Sequence, residues 1–167
     1  MSELTQTSDT SGSAEDLLQL VGFTLGNEDF GVDILSVQEI NRVTEITKIP
    51  GTPDFVKGVI NLRGNVIPVI DLRSRLGMPE KENDKQTRII VADVEERTVG
   101  LVVDAVSEVI RMDASLVEPP PALIGAATGK KDYIKGVGKL DDKLLMLLDI
   151  NSMFSKQEQQ QLSELSN

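Results

Sequence analysis

The chain carries two stretches of sequence twice, in the same order, and its fold must accommodate that duplication. Gly31-Val-Asp-Ile-Leu-Ser-Val-Gln-Glu-Ile40 aligns with Gly100-Leu-Val-Val-Asp-Ala-Val-Ser-Glu-Val109, an offset of 69 (residue 31 to residue 100). The residues just before follow suit, with Leu25 matching Val94 and Phe30 matching Val99. Residues 56–72 (VKGVINLRGNVIPVIDL) then align with residues 134–150 (IKGVGKLDDKLLMLLDI), an offset of 78 (residue 56 to residue 134). Lys57/Lys135, Gly58/Gly136, Val59/Val137, Leu62/Leu140 and Asp71/Asp149 are identical pairs. The larger offset places the extra residues of the second copy in the Pro-rich stretch from Met112 to Asp132. Each copy is only about 70 residues long, a size that is marginal alone. The repeat therefore predicts two similar small β-barrels related by a pseudo-twofold, with an apolar seam between them.

Local pattern agrees with a mainly β fold. Val21, Phe23 and Leu25 alternate with Gly22 and Thr24, and Gly26-Asn27-Glu28-Asp29 supplies a turn. Similar runs are residues 58–62, 66–72, 88–94, 99–103 and 144–150. Long helical patterns of an alternating α/β fold are missing. Each copy reads as a hairpin, a short helical segment and a second hairpin. Residues 1–16 hold seven Ser or Thr and four acids and read as a disordered arm. The folded body is placed at 17–154 as a single domain of two interlocked barrel subdomains, with the first copy mainly at 23–72 and the second mainly at 91–150. Ser155 and Glu158 fit a capping box, which predicts a C-terminal helix within 155–167. Pro119-Pro120-Pro121 reads as a rigid connector, and residues 77–86 as an exposed charged linker.

Composition removes whole classes of chemistry. There is no His and no Cys, hence no thiol nucleophile, no Ser-His triad and no ordinary zinc site. No metal, cofactor or catalytic residue is expected. A net charge of −10 without a basic run argues against nucleic acid. No apolar run approaches a membrane span of about 20 residues, and the N-terminus lacks a signal-peptide pattern. The expected location is the cytoplasm. Asp33, Asp71, Asp104 and Asp149 are the carboxylates an enzymatic reading would use. Acid–base work needs two that converge with split pKa values. The repeat instead places Asp71 and Asp149 at equivalent strand ends in different barrels, where they are expected to bond turn amides.

Positions shared by both copies read as structural, so Gly58 and Gly136 are expected at a bulge or a close backbone approach. Positions that differ are candidates for function. At one hairpin turn the first copy has Asn61-Leu62-Arg63-Gly64, where the second has Lys139-Leu140-Asp141-Asp142. Gly64 suits the left-handed conformation of a tight hairpin. Arg63 fits either a solvated turn arginine or a bidentate partner for a carboxylate. Glu39 is placed near the end of the short helical segment after Ile34 and Val37. A carboxylate there opposes the helix dipole, which hints at a partner, although its counterpart Glu108 suits a local role equally well.

These residues resemble the CheW family of bacterial chemotaxis coupling proteins. The resemblance is carried by Phe23-Thr-Leu-Gly26, Phe30-Gly-Val-Asp-Ile-Leu-Ser-Val-Gln-Glu-Ile40, Lys57-Gly-Val-Ile-Asn-Leu-Arg-Gly64, Ile67-Pro-Val-Ile-Asp-Leu72 and Gly100-Leu-Val-Val-Asp-Ala-Val106. It implies two SH3-like five-stranded barrels with short helices between strands. It also implies a non-catalytic adaptor linking the cytoplasmic tips of chemoreceptors to the regulatory domain of the histidine kinase CheA, recruited to membrane-associated arrays. Receptor binding is carried over to Val37, Glu39, Arg63, Val106 and Val109. Kinase docking is carried over to Ile34, Ile40 and Val43, and Gly58 and Gly64 are assigned to turn and fold support. Self-association, or mixed rings with the kinase, is left open. An adaptor of another sensory pathway, such as twitching motility or second-messenger control, would fit the same residues.

Overall fold

The computed structural model describes residues 17–120 and 133–165; the arm at 1–16 and most of the Pro-rich connector lie outside the described residues. The strands are β1 (Leu17–Leu25), β2 (Glu28–Asp33), β3 (Val37–Arg42), β4 (Val56–Leu62), β5 (Asn65–Asp71), β6 (Arg88–Val94), β7 (Arg97–Val103), β8 (Ala105–Asp113), β9 (Val117–Glu118), β10 (Ile134–Leu140) and β11 (Lys143–Leu148). Helix α1 (Leu72–Arg75) follows β5, and α2 (Lys156–Leu165) ends the described chain. Single 3-10 turns occupy Ile34–Ser36, Ala114–Leu116 and Ile150–Met153.

The strands form two sheets, in the orders β3-β6-β7-β5-β4 and β9-β10-β11-β2-β1-β8. Neither sheet is built from one copy of the repeat. Hairpin β6–β7 of the second copy completes the first barrel, and hairpin β1–β2 of the first copy completes the second. The pairing registers obey the pseudo-twofold residue by residue. In the first barrel β5 runs parallel to β7 with Val69 opposite Gly100, and in the second β11 runs parallel to β2 with Leu147 opposite Gly31. Gly58 faces Val69 and Gly136 faces Leu147, each with a register irregularity just before the glycine. Exchanging hairpins lets each marginal copy bury its apolar strands against the other.

Three apolar clusters result. The largest draws on both sheets, with Phe23, Leu25 and Phe30 packed alongside Ile70, Leu72, Ile90 and Leu101; this is the seam. The two smaller clusters are each barrel's own interior and are related by the repeat. Ile67, Val69 and Ile89 in the first correspond to Leu145, Leu147 and Leu20 in the second.

The C-terminal helix closes the seam. Ser155 and Glu158 form the expected capping box, with Glu158 N donating to Ser155 Oγ at 3.1 Å and Ser155 N to Glu158 Oε1 at 2.9 Å. Leu162, Met153 and Phe154 are buried in the shared core. The Arg75 guanidinium sits 4.6 Å from the centre of the Phe55 ring and also lies over Tyr133 and Phe154. From there it donates to Met153 O and to both oxygens of Glu158.

Candidate partner-binding site

The first barrel closes where its two outer strands meet. Thr47, just after β3, exchanges two backbone hydrogen bonds of 2.9 Å with Val59 of β4. This approach requires Gly58, since a Cβ there would lie 2.2 Å from Thr47 O. Gly58 thus sits inside a strand at a close backbone contact rather than at a turn. Gly64 is in the turn itself. Arg63 has φ +51° and Gly64 φ +87°, the paired left-handed conformation of a two-residue hairpin turn. Asn61 Oδ1 accepts from Gly64 N at 2.9 Å and pins the turn.

Held in that turn, Arg63 reaches across the closure to Glu39 of β3. Its two terminal nitrogens donate to the two carboxylate oxygens, Nη1 to Oε1 at 3.2 Å and Nη2 to Oε2. The hydrogen bond from Arg63 holds the Glu39 carboxyl below the usual glutamate range against a smaller upward push from burial, with Asn41 adding to the lowering. Arg63 is in turn held above the usual arginine range by Glu39. The Arg63 side chain remains 68% exposed, so it stays open to a second anionic or polar group while paired. Glu39 lies on a strand. The helical segment ends at Ser36, one 3-10 turn long, so the helix-dipole argument for a partner does not apply to Glu39. Its partner is Arg63.

Val37 and Val106 are pseudo-twofold equivalents, and both pack against the shared core at the seam. Val109, on the outer strand β8, is 51% exposed, and its equivalent Ile40 on β3 is 40% exposed. The three residues carried over to kinase docking have different surroundings. Ile34 packs on the shared core, Val43 packs into the first barrel's interior, and only Ile40 is exposed. The second barrel has Glu108 in place of Glu39 but Asp141 in place of Arg63, so the ion pair belongs to the first barrel alone.

The candidate acid–base carboxylates are engaged locally. Asp33 and Asp149 cap 3-10 turns, and Asp71 caps α1. Asp104 forms a bidentate pair with Arg73 and accepts from Gly26 N at 2.7 Å. Among the described residues no group of three or more acids is placed to hold a metal, and no helix is long and apolar enough to cross a membrane.

Sequence reasoning did not single out Gln38, next to Glu39 in the chain, which donates to both Asp93 and Thr98. Gln38 lies 55 and 60 positions from its partners, and no local pattern announces such a contact. Asn61 had a local signal, a side-chain acceptor three residues before a turn glycine.

The CheW-like domain family matches residues 19–158. The chain is 44% identical over 136 residues to the chemotaxis protein CheW of Klebsiella aerogenes, covering 81% of each. It is 33% identical over 142 residues to that of Bacillus subtilis, covering 85% of this chain and 90% of the relative. In three dimensions it is similar to the crystal structure of the scaffolding protein TtCheW from Thermoanaerobacter tengcongensis. The TM-score is 0.76 at 39% identity, covering 84% of this chain and 94% of that one.

Proposed function

The chain belongs to the CheW family of chemotaxis scaffolding proteins, and from that premise we propose that it couples chemoreceptor tips to the histidine kinase CheA. The observation that supports this most is the Glu39–Arg63 pair. It holds an exposed arginine at a fixed place on the first barrel, paired with Glu39 on the same strand as Val37. Half-buried Val37 and Val106 with exposed Val109 offer an amphipathic helix an apolar surface to lie on, while polar groups set its register. The receptor tip is the occupant, bound by Val37, Glu39, Arg63, Val106 and Val109. The regulatory domain of CheA docks on the outer strand of the first barrel through Ile40, with Ile34 and Val43 shaping the surface from beneath. The protein works in the cytoplasm, recruited to membrane-associated receptor arrays, without turnover of its own.

The test is a pull-down with the CheA regulatory domain and a receptor tip fragment, using the wild type, Arg63→Asp and Glu39→Gln. Arg63→Asp should lose the receptor fragment and keep the kinase domain. Undiminished capture of the receptor fragment by Arg63→Asp would remove the role assigned to that pair.

A further inference from the structure

Strand β3 departs from regular pairing at one residue. Val37 faces Ala92 and Glu39 faces Val91, so two residues of β3 span one step of β6 and Gln38 is the extra one. Such a bulge re-aims the side chains that follow it, and Glu39 follows directly. The Gln38 side chain does not extend freely into water. Its Nε2 donates to Asp93 Oδ1 at 2.5 Å and to Thr98 Oγ1 at 3.1 Å, using both amide hydrogens. Asp93 and Thr98 stand opposite each other on β6 and β7, so Gln38 bonds to a cross-strand pair and fastens the bulge to two neighbouring strands.

The second barrel provides an internal comparison. Strand β8 has the same irregularity in its pairing with β1, since Val106 faces Phe23 and Val109 faces Val21. The residue equivalent to Gln38 is Ser107, too short to reach across two strands. That barrel also has no arginine opposite Glu108. The clamp and the ion pair occur together in one barrel and are both missing from its twin.

We infer that Gln38 is a positioning residue for the partner-facing pair: by tying the β3 bulge to Asp93 and Thr98 it fixes the direction in which Glu39 meets Arg63. The role in partner binding rests on the receptor-coupling function proposed above; the effect on Glu39 does not.

The test separates the two on the full-length protein labelled with ¹³C. The Glu39 carboxyl is titrated by NMR in the wild type, Gln38→Leu and Asp93→Ala. Asp93 is exposed, so its replacement releases the clamp without touching the core, and it keeps the test open if Gln38→Leu fails to fold. Both variants should raise Glu39 toward the free glutamate value of about 4.3, while Asp104, paired elsewhere with Arg73, titrates as before. Thr98→Val should give part of the shift, and Thr98→Ser, which keeps the hydroxyl, should restore wild-type behaviour. A general loss of stability would not produce that pattern. Glu39 titrating as in the wild type in both Gln38→Leu and Asp93→Ala overturns the inference. Capture of the receptor tip fragment by Gln38→Leu should weaken by about tenfold, equivalent to about 1.4 kcal/mol. If Glu39 shifts and capture is unchanged, the positioning role stands and the receptor-coupling reading of the pair falls.

Discussion

Met112 occupies the space that a side chain at Gly138 would need: a Cβ built on Gly138 would lie 2.7 Å from Met112 Cε. In the first barrel the equivalent residues are Val43 and Ile60; Ile60 belongs to its interior cluster and half-buried Val43 packs against it. One barrel thus fills its centre with a medium and a large side chain, and the other with a long methionine over a glycine. The two barrels pack this site with different residues: the second lacks a side chain at one position and carries a longer one at the other. Gly138→Ala alone should overpack and cost about 1–3 kcal/mol. Met112→Val alone should leave a cavity and cost about 1–2 kcal/mol. The double variant should lose clearly less than the sum, read as a coupling energy from urea unfolding. Strict additivity would show that the two residues do not share this space.

The repeat alone makes such equivalences visible, because strand registers and core positions follow the same two offsets. It could not show that the hairpins are exchanged. The alignment of Gly31 with Gly100 is satisfied whether β2 pairs within its own copy or with the other. Only the parallel pairing of β2 with β11 and of β7 with β5 decides it. For a related reason the sequence pattern places Glu39 near a helix end, whereas it lies on a strand. Ile34 and Val37 are three apart, as on a helix, but the run is too short to distinguish that spacing from a turn entering a strand. Long-range pairing with β6 settles it as a strand. Arg63 and Glu39 were both legible as candidates, one from a turn that differs between copies and one from an unpaired charge. That they bind each other was not, because the closure of the barrel brings them together.

Gly58 tests that closure. Its φ of +152° and the 2.2 Å approach of a built Cβ to Thr47 O leave no room for a side chain. The obstacle is backbone and cannot swing aside. Gly58→Ala should destabilise by about 2–4 kcal/mol through a combination of steric overlap and a strained φ. It should also abolish the Thr47–Val59 bridge, seen as loss of slow hydrogen exchange at the Val59 amide. A variant that keeps Val59 protected and loses under 1 kcal/mol, roughly the scale of a surface change, would show that the strand can relax away.

Arg75 joins elements that are far apart in sequence. Its side chain is 11% exposed, enclosed by three aromatic rings, and it satisfies both Met153 O and Glu158. Burial raises the Glu158 carboxyl, but Arg75 and the Ser155 amide together draw it below its ordinary value. Arg75→Ala removes the cation from a nearly enclosed site and strands its acceptors. It should cost about 3 kcal/mol. Glu158→Gln keeps a capping side chain and an acceptor and should cost about 1 kcal/mol. Thermal unfolding of both variants gives the ranking, and the opposite order would show that the capping box, not the arginine, holds α2 in place.

Acid should expose the contribution of Asp104. Arg73 donates to both of its oxygens, at 2.9 and 2.6 Å, and the Gly26 amide adds a third bond. The arginine pair holds the Asp104 carboxyl below the ordinary aspartate range, outweighing the upward push of burial. A carboxyl whose pKa is depressed by folding stabilises the folded state fully above the unfolded value of about 3.9. That stability is lost as pH falls through the lower folded value. At pH 7 the contribution is whole and insensitive to small changes in pH, and the loss begins below about pH 4. Both side chains are mostly buried, 13% and 16% exposed, so the pair is weakly screened by salt. Asp104→Asn should therefore lower stability by about 1–3 kcal/mol at pH 7. The gap to the wild type should narrow steadily between pH 4 and pH 2. Urea midpoints measured across that range decide it: a gap that stays constant as the pH falls would mean that Asp104 stabilises by its hydrogen-bonding shape and not by its charge.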